Sequence, residues 1–366
     1  MILFLHNRYR TTGGEERAVS ELLWLVREHM GEEAELLERS SASLSRARAA
    51  GALLAGGTDP DDVAKAVRLT GARVVHAHNV SPAFGWRGLA AARRAGARVV
   101  LHLHNYRLVC AEGACFNSLG EDCTRCHGRD TLPGVRLNCR RNAAEAVAYG
   151  AALALWQRRL AAQADAVVVP SAFAARRLAE LGAPVAAPAI VPHVVRYLAS
   201  GSRAGAGEYA LVTTRIAREK GVDVAVEGCR RAGIPLVVAG GGPLLGELRE
   251  AHPEVRWTGR VGEDELRELR AGAALAIVPS RAAETFGLAA AEAMASGIPV
   301  VASRSGALPD LVEHGGLFAP GDADELAAVA RARFGDATAG ERGLAAVRER
   351  FAPEAVAAAL RGVYDG

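Results

Sequence analysis

Two glutamates eight positions apart, Glu284 and Glu292, stand in the segment Glu284-Thr285-Phe286-Gly287-Leu288-Ala-Ala-Ala-Glu292, which Gly297 and Pro299 close. The first carboxylate falls in a loop after an apolar run, the second inside the helix that follows. The backbone N–H groups of Phe286, Gly287 and Leu288 open that helix and carry the positive end of its dipole, where a diphosphate can dock. Glu292, about a turn further in, can accept from sugar hydroxyls. A helical glutamate is often only a solvated surface residue, but Ala289–Ala291 and Ala293–Ala295 give this one a packed, small-residue surround. Arg215 and Lys220 follow an earlier apolar run. A guanidinium can grip phosphate oxygens bidentately, and an ammonium acts as a point charge. The plain alternative is a solvated face paired with Glu219, and Arg218 fits that alternative. Of the 44 Lys and Arg residues only two are lysine, Lys65 and Lys220. Lys65 lies on the polar side of a helix, whereas Lys220 stands where a compact cation would meet a diphosphate.

The first half carries a second set. Thr11-Thr12-Gly13-Gly14-Glu15-Glu16-Arg17 joins an apolar run to a helix. Its two glycines let a ligand approach the backbone at the amino end of that helix; a plain turn capped by Thr12 is the alternative. His76 and His78, and then His102 and His104, end two further apolar runs. By strand alternation each pair points one way, toward ligand or toward simple satisfaction. Five of the six cysteines fall between Cys110 and Cys139. Cys123-x-x-Cys126, flanked by Cys110 and Cys139, has the spacing of a structural zinc site; reduced, packed thiols are the alternative. Gly240-Gly241-Gly242-Pro243 lacks the dinucleotide spacing and reads as a tight turn. Asp59-Pro-Asp61 and Asp322-Ala-Asp324 mimic metal-binding pairs but read as a helix start and a polar loop entering a helix, so no catalytic metal is assigned.

These residues need elements to hold them. Short apolar runs at Ile2–Leu5, Val74–His76, Val99–Leu103, Ala166–Val169 and Ala189–Val191 alternate with helical patterns. A Pro/Gly-rich stretch, Ala183–Gly207, interrupts the alternation. It restarts at Ala210–Thr213, Leu236–Ala239, Arg256–Thr258, Leu275–Val278 and Pro299–Ala302. The pattern predicts an α/β protein of two doubly wound halves with mostly parallel sheets, as a chain of 366 residues allows. Ligands then sit at the carboxyl ends of the strands. A net charge of +3, with acids and arginines interleaved, gives no nucleic-acid patch. The opening apolar run is too short for a targeting segment or a span, and Ala143–Ala162 reads as an amphipathic helix. A cytoplasmic protein without disulfides is the expectation.

Together the motifs resemble those of the retaining GT-B glycosyltransferases of family 4, over nearly the whole chain. Gly13-Gly14-Glu15-Glu16-Arg17 is similar to that family's GGxER loop, Arg215 with Lys220 to its phosphate-binding pair, and Glu284 to Glu292 to its E-x7-E signature. Val278-Pro279-Ser280 and Gly297–Ala302 extend the match, and Phe351–Tyr364 resembles a terminal helix crossing back to the first domain. There are departures: Asn105 follows His104 where an Asp is common, Pro192-His193-Val194-Val195 replaces Pro-Asn-Gly-Val, and Gly306-Ala-Leu-Pro309 replaces a double glycine. The resemblance implies two Rossmann-like domains, 1–192 and 193–348, facing an inter-domain cleft, with 349–366 returning to the first. The Cys-rich loop, 107–141, belongs to the acceptor-side domain and recurs in a subgroup of the family. The implied reaction is retaining, metal-independent sugar transfer from a nucleotide-diphosphate donor to a hydroxyl acceptor. His104, Arg215, Lys220 and Glu284 are the implied catalytic residues, and Gly13, Gly14, Phe286, Gly287, Leu288 and Glu292 the donor-binding ones. Glu16, His76 and His78 are implied on the acceptor side. No cofactor is implied for catalysis, with zinc at Cys110, Cys123, Cys126 and Cys139 structural; no nucleic acid and at most weak peripheral membrane contact are expected. A nucleotide-sugar epimerase or hydrolase on the same fold, or a non-catalytic zinc-containing binding module, are the competing readings.

Overall fold

The computed structural model describes residues 1–9 and 13–366, so Thr11 and Thr12 of the glycine loop lie outside the described residues. Two compact units divide the chain. The first takes Met1–Leu119, Cys123–Val194 and Pro353–Gly366; the second takes Gly120–Asp122 and Val195–Ala352.

In the first unit, strands β1 (Ile2–Arg8), β2 (Ala34–Ser40), β3 (Val74–Ala77), β4 (Arg98–His102), β5 (Ala166–Val169) and β6 (Ala189–Ile190) form a parallel sheet in the order β2-β1-β3-β4-β5-β6. Alternation sends Ile2, Phe4, Val74 and Val100 to one face and Leu3, Leu5, Val75, Val99 and Leu101 to the other. Both faces are covered by helices, which is why these strands read as continuous apolar runs. The first face packs Val19 and Leu22 of the helix Gly14–Trp24, and Val356, Leu360 and Val363 of the helix Pro353–Asp365. The terminal helical stretch therefore completes the first unit. The second face packs Val63 and Val67 of Pro60–Thr70 and Leu89 of Gly85–Arg94.

The second unit repeats the plan. Strands β7 (Tyr209–Thr213), β8 (Leu236–Ala239), β9 (Arg256–Gly259), β10 (Ala273–Val278), β11 (Val300–Ser303) and β12 (Gly316–Phe318) form a parallel sheet in the order β12-β11-β10-β7-β8-β9. One face buries Leu211, Val237 and Ala276 against Met294, Leu308 and Val347; the other buries Val212, Val238 and Ile277 against Val226, Cys229 and Leu326. Asp322 caps the helix Ala323–Arg333 by accepting from Asp324 N and Glu325 N, and Asp59 precedes Pro60 at a helix start, as the two acid pairs were read.

Candidate active site

The second sheet reverses its winding between β7 and β10. Connections leaving two such strands run to opposite sides, so the loops beyond their carboxyl ends part and leave a crevice. Both loops carry predicted charges: Arg215 and Lys220 follow β7, and Glu284 follows β10. One close backbone approach joins these two loops, and a second holds the β10 loop against the loop that follows β11. Gly221 sits at φ +63, and a Cβ there would lie 2.1 Å from the Pro279 carbonyl oxygen. Gly306 sits at φ +65, and its Cβ would lie 2.2 Å from Glu284 N. Ala307 N then donates to Glu284 O at 2.8 Å. The Lys220 ammonium consequently donates to Glu284 Oε1 at 2.6 Å, and the Ser280 hydroxyl donates to the same oxygen at 2.5 Å. Burial would raise the Glu284 pKa, but Lys220 and Ser280 overcome it and hold the carboxyl below its ordinary value.

Around this pair the other predicted residues take different roles. Arg215 is exposed and pairs with Glu219. Gly287, at φ +95, caps the helix Leu288–Ala295, whose first turn faces back toward the loop that carries Glu284. The Phe286 ring belongs to the core, edge-on to Phe351 at 5.1 Å, so only its backbone is available to a ligand. Glu292 is neither solvated nor merely packed: it pairs with Arg270 at the end of the helix Glu263–Ala271, and both side chains are only 11% exposed. No local spacing links two residues twenty-two positions apart, so Arg270 carries no signal in the sequence. Ile216 N donates to Gly241 O at 3.0 Å, so the triple-glycine turn braces the Arg215 loop.

The first sheet changes direction between β1 and β3. Beyond β1, Gly13 and Gly14 are exposed at the start of the helix Gly14–Trp24. Glu16 accepts from Gly13 N at 2.7 Å and Tyr9 N at 3.1 Å, so its carboxylate holds the loop. Its neighbour Glu15 accepts from the Tyr9 hydroxyl at 2.7 Å and from Asn105 Nδ2 at 3.0 Å. Arg107 Nη1 donates to the same Tyr9 oxygen at 2.6 Å. Burial raises the Glu15 carboxyl above its usual range, with Tyr9 and Arg107 opposing it. Two adjacent glutamates in a helix's first turn are indistinguishable by sequence, and this network was not foreseen.

Five buried histidines gather at the carboxyl ends of β3, β4 and β6: His76, His78, His102, His104 and His193. His102 and His104 stack at 4.1 Å, His76 and His78 lie 4.3 Å apart, and His193 stacks on His104 at 5.3 Å. His78 Nδ1 meets His104 Nε2 at 2.7 Å, and His76 links the Tyr364 hydroxyl at 2.8 Å to His102 at 3.3 Å. Burial, and then repulsion between charged imidazoles, His6 included, pulls every one of these pKa values down, to about 3 for His76, His104 and His193. At neutral pH His104 is an uncharged ring that can donate or accept one hydrogen bond. His193 had been noted only as a departure from a motif; the fold makes it part of the cluster. Two overlapping trios, His76/His78/His102 and His102/His104/His193, bring ring nitrogens within 4.8 Å of one another. The cysteines Cys110, Cys115, Cys123, Cys126 and Cys139 lie together elsewhere in the first unit, lining one cavity, and no three of their sulfurs are among the groups at metal-ligand distance in the described residues.

Among the described residues no helix is long and apolar enough to cross a membrane. Residues 207–336 match the family "Glycosyl transferases group 1", and residues 24–193 match the "Glycosyl transferase 4-like domain". A GDP-mannose-dependent alpha-mannosyltransferase from Corynebacterium glutamicum is 39% identical over 101 residues, 28% of this chain and 24% of that protein. An MMP alpha-(1->4)-mannosyltransferase from Mycolicibacterium hassiacum is 42% identical over 114 residues, 29% of this chain and 27% of that protein. The chain thus spans about a quarter of the length of these relatives. A sucrose-phosphate synthase structure from Thermosynechococcus elongatus superposes with a TM-score of 0.71 at 19% identity, covering 100% of this chain and 98% of that one. The Anabaena protein HepE in complex with UDP superposes with a TM-score of 0.64 at 19% identity, covering 100% and 99%. With a parallel-sheet Rossmann-like fold in each unit and a glycosyltransferase family matched to each half, the chain belongs to the GT-B glycosyltransferases of the family 4 type.

Proposed function

We propose that the protein transfers a sugar, with retention of configuration and without a catalytic metal, from a nucleotide-diphosphate donor to a hydroxyl acceptor. The observation that carries this reading is the Lys220–Glu284 pair at the winding reversal of the second sheet, with Arg215 on the same loop as Lys220. A departing diphosphate needs cations where charge grows, and Lys220 and Arg215 supply them. The amino end of the helix Leu288–Ala295 adds N–H donors; in the first unit Gly14 can add another, the Gly13 N–H being already given to Glu16. Glu292, fixed by Arg270, accepts from the ribose hydroxyls, and Glu284 from the donor-sugar hydroxyls. His104, neutral, meets the sugar. The donor is a UDP- or GDP-sugar, since the relatives include GDP-mannose-dependent enzymes and a UDP-bound structure.

The acceptor hydroxyl attacks the anomeric carbon from the face the diphosphate leaves. The carbon–oxygen bond to the phosphate breaks with both electrons going to the leaving group, and a phosphate oxygen takes the acceptor's proton. No protein base is required. The acceptor, an alcohol of a glycan, a lipid-linked sugar or a small natural product, is read by the first unit near His76, His78 and the Glu16 loop. Because Glu16 is occupied by backbone donors, Glu15 with Tyr9 is the better-placed recognition group.

A panel of nucleotide sugars, scored for diphosphate release and for protection from thermal unfolding, tests the reading. Lys220→Ala and Glu292→Ala should each lower turnover by about 10²–10³. Near-normal transfer by both variants overturns the assignment. Diphosphate release without any acceptor would instead favour the hydrolase alternative.

A further inference from the structure

The helices Arg46–Ala55 and Ala143–Ala161 of the first unit pack side by side. Trp156 Nε1 donates to the Leu54 carbonyl at 3.0 Å near one end, and Arg46 Nε meets Glu145 Oε1 at 3.7 Å near the other. The outward stripe of the longer helix runs Ala144, Val147, Ala151, Leu155 and Arg158, the spacing of one helical face. Such a face is normally charged at a protein surface; here it is apolar until Arg158. On the shorter helix Ala47, Gly51 and Leu54 are exposed on one side. Leu54, Val147 and Leu155 are 44%, 54% and 50% exposed. Leu132, which opens the short helix Leu132–Arg136 beside them, is 48% exposed. Single exposed leucines are ordinary, but several on packed neighbouring helices mark an interaction surface.

Charge decides what covers it. The two long helices carry Arg46, Arg48, Arg158 and Arg159, all exposed, against one carboxylate, Glu145. Arg140 and Arg46 share that carboxylate at 3.3 and 3.7 Å. Arg159 lies over Trp86 and Trp156, 5.5 and 5.1 Å from their ring centroids, so two half-buried indoles border the leucines. Arginines and indoles around exposed leucines compose surfaces that lie in the boundary between lipid headgroups and acyl chains. A second copy of the chain suits the face badly, because a two-fold pairing would set arginines against arginines.

We propose that this face docks the protein on an anionic lipid bilayer, with Leu54, Val147 and Leu155 entering the headgroup–acyl boundary and the four arginines meeting lipid phosphates. The helices lie on the bilayer, since no helix among the described residues is long and apolar enough to cross one. This inference does not depend on the transfer reaction proposed above.

The test sediments the full chain with vesicles of phosphatidylcholine alone, or of equal parts phosphatidylcholine and phosphatidylglycerol. The protein should bind the anionic vesicles only, and more weakly as salt is raised. Val147→Asp and Leu155→Asp, at exposed positions, should weaken binding by about tenfold or more without moving Tm. Arg158→Glu should weaken it by roughly fivefold or more. Leu69→Asp adds the same charge at a 76% exposed position on the helix Pro60–Thr70 and should bind as the parent chain does. Equal binding to both vesicle types, binding to neither, or equal losses in Leu69→Asp and Leu155→Asp overturns the proposal. So does retention on polyglutamate beads with indifference to vesicles, which assigns the face to an acidic protein. A dimer in sedimentation velocity that Leu155→Asp dissolves assigns it to a second copy and overturns the proposal equally.

Discussion

Lys220 meets Glu284 at 2.6 Å, and the Ser280 hydroxyl shares the same carboxylate oxygen. That crowding suits a compact ammonium and leaves little room for a planar guanidinium. In a chain that otherwise carries its positive charge on arginine, Lys220→Arg should therefore not be silent; turnover should fall by about tenfold or more with little change in Tm. Unchanged kinetics would remove the geometric requirement. Glu292 offers a contrasting case. Arg270 and Glu292 are each only 11% exposed, so Arg270→Ala strips a largely buried carboxylate of its cation. A loss of roughly 1–3 kcal/mol in urea unfolding is expected, together with a raised KM for the donor, and a full-strength KM would argue against the ribose role. The types and spacing of Lys220, Glu284 and Glu292 were visible in the sequence because they flank apolar runs. Their partners were not read as such: Arg270 comes from a distant helix end, and Ser280 stands in the Val278-Pro279-Ser280 match without any local sign of its bond to Glu284.

Most elements follow from local pattern. The strand Ala166–Val169 and the helix Pro60–Thr70 lie where periodicity and capping put them, and the other sheet-interior strands fall within a few residues. Two strands escaped. β2, with the sequence Ala-Glu-Leu-Leu-Glu-Arg-Ser, lies at a sheet edge, and its charged exposed side hides the alternation. β12 is only three residues long and lies at the opposite edge of the other sheet. Neither edge holds a candidate site residue, so the omissions left the site readable. What sequence could not reveal is how closely elements approach. Gly306 replaces a more usual pattern, and its neighbourhood explains it: a Cβ there would collide with the Glu284 backbone, at a φ that side chains rarely adopt. Gly306→Ala should lower stability by about 1–3 kcal/mol and reduce activity further by displacing Glu284. An undisturbed Tm would show that the two loops are not locked as described.

At the scale of the whole molecule, pH acts through the buried histidines. Six buried imidazoles, the clustered five and His6, have their pKa values lowered in the folded chain, three of them to about 3, against about 6.5 in an unfolded one. Below that ordinary value the unfolded chain binds more protons than the folded chain, so stability falls as pH falls. The contribution is complete above about pH 6.5 and is lost progressively toward the folded-state values. Urea midpoints measured near neutrality and at about pH 5 should drop steeply, and His78→Gln should flatten the slope. A midpoint independent of pH over this range would contradict the neutral stack. Composition gave no hint of this behaviour: ten histidines in 366 residues are unremarkable until the fold gathers half of them.

The helix Pro353–Asp365 supplies Val356, Leu360, Val363 and Tyr364 to the same apolar face as Ile2 and Phe4. Ribosomal synthesis proceeds from the other end. The β1, β3 and β4 strands emerge early, but the second helix of this face is made only after every residue from Val195 to Ala352 has been translated. Apart from Gly120–Asp122, the intervening unit is one stretch of chain and can finish folding first. Through that interval the early strands have only the helix Gly14–Trp24 and its continuation over part of this face, and a nascent chain in this state is a natural client for a holdase chaperone.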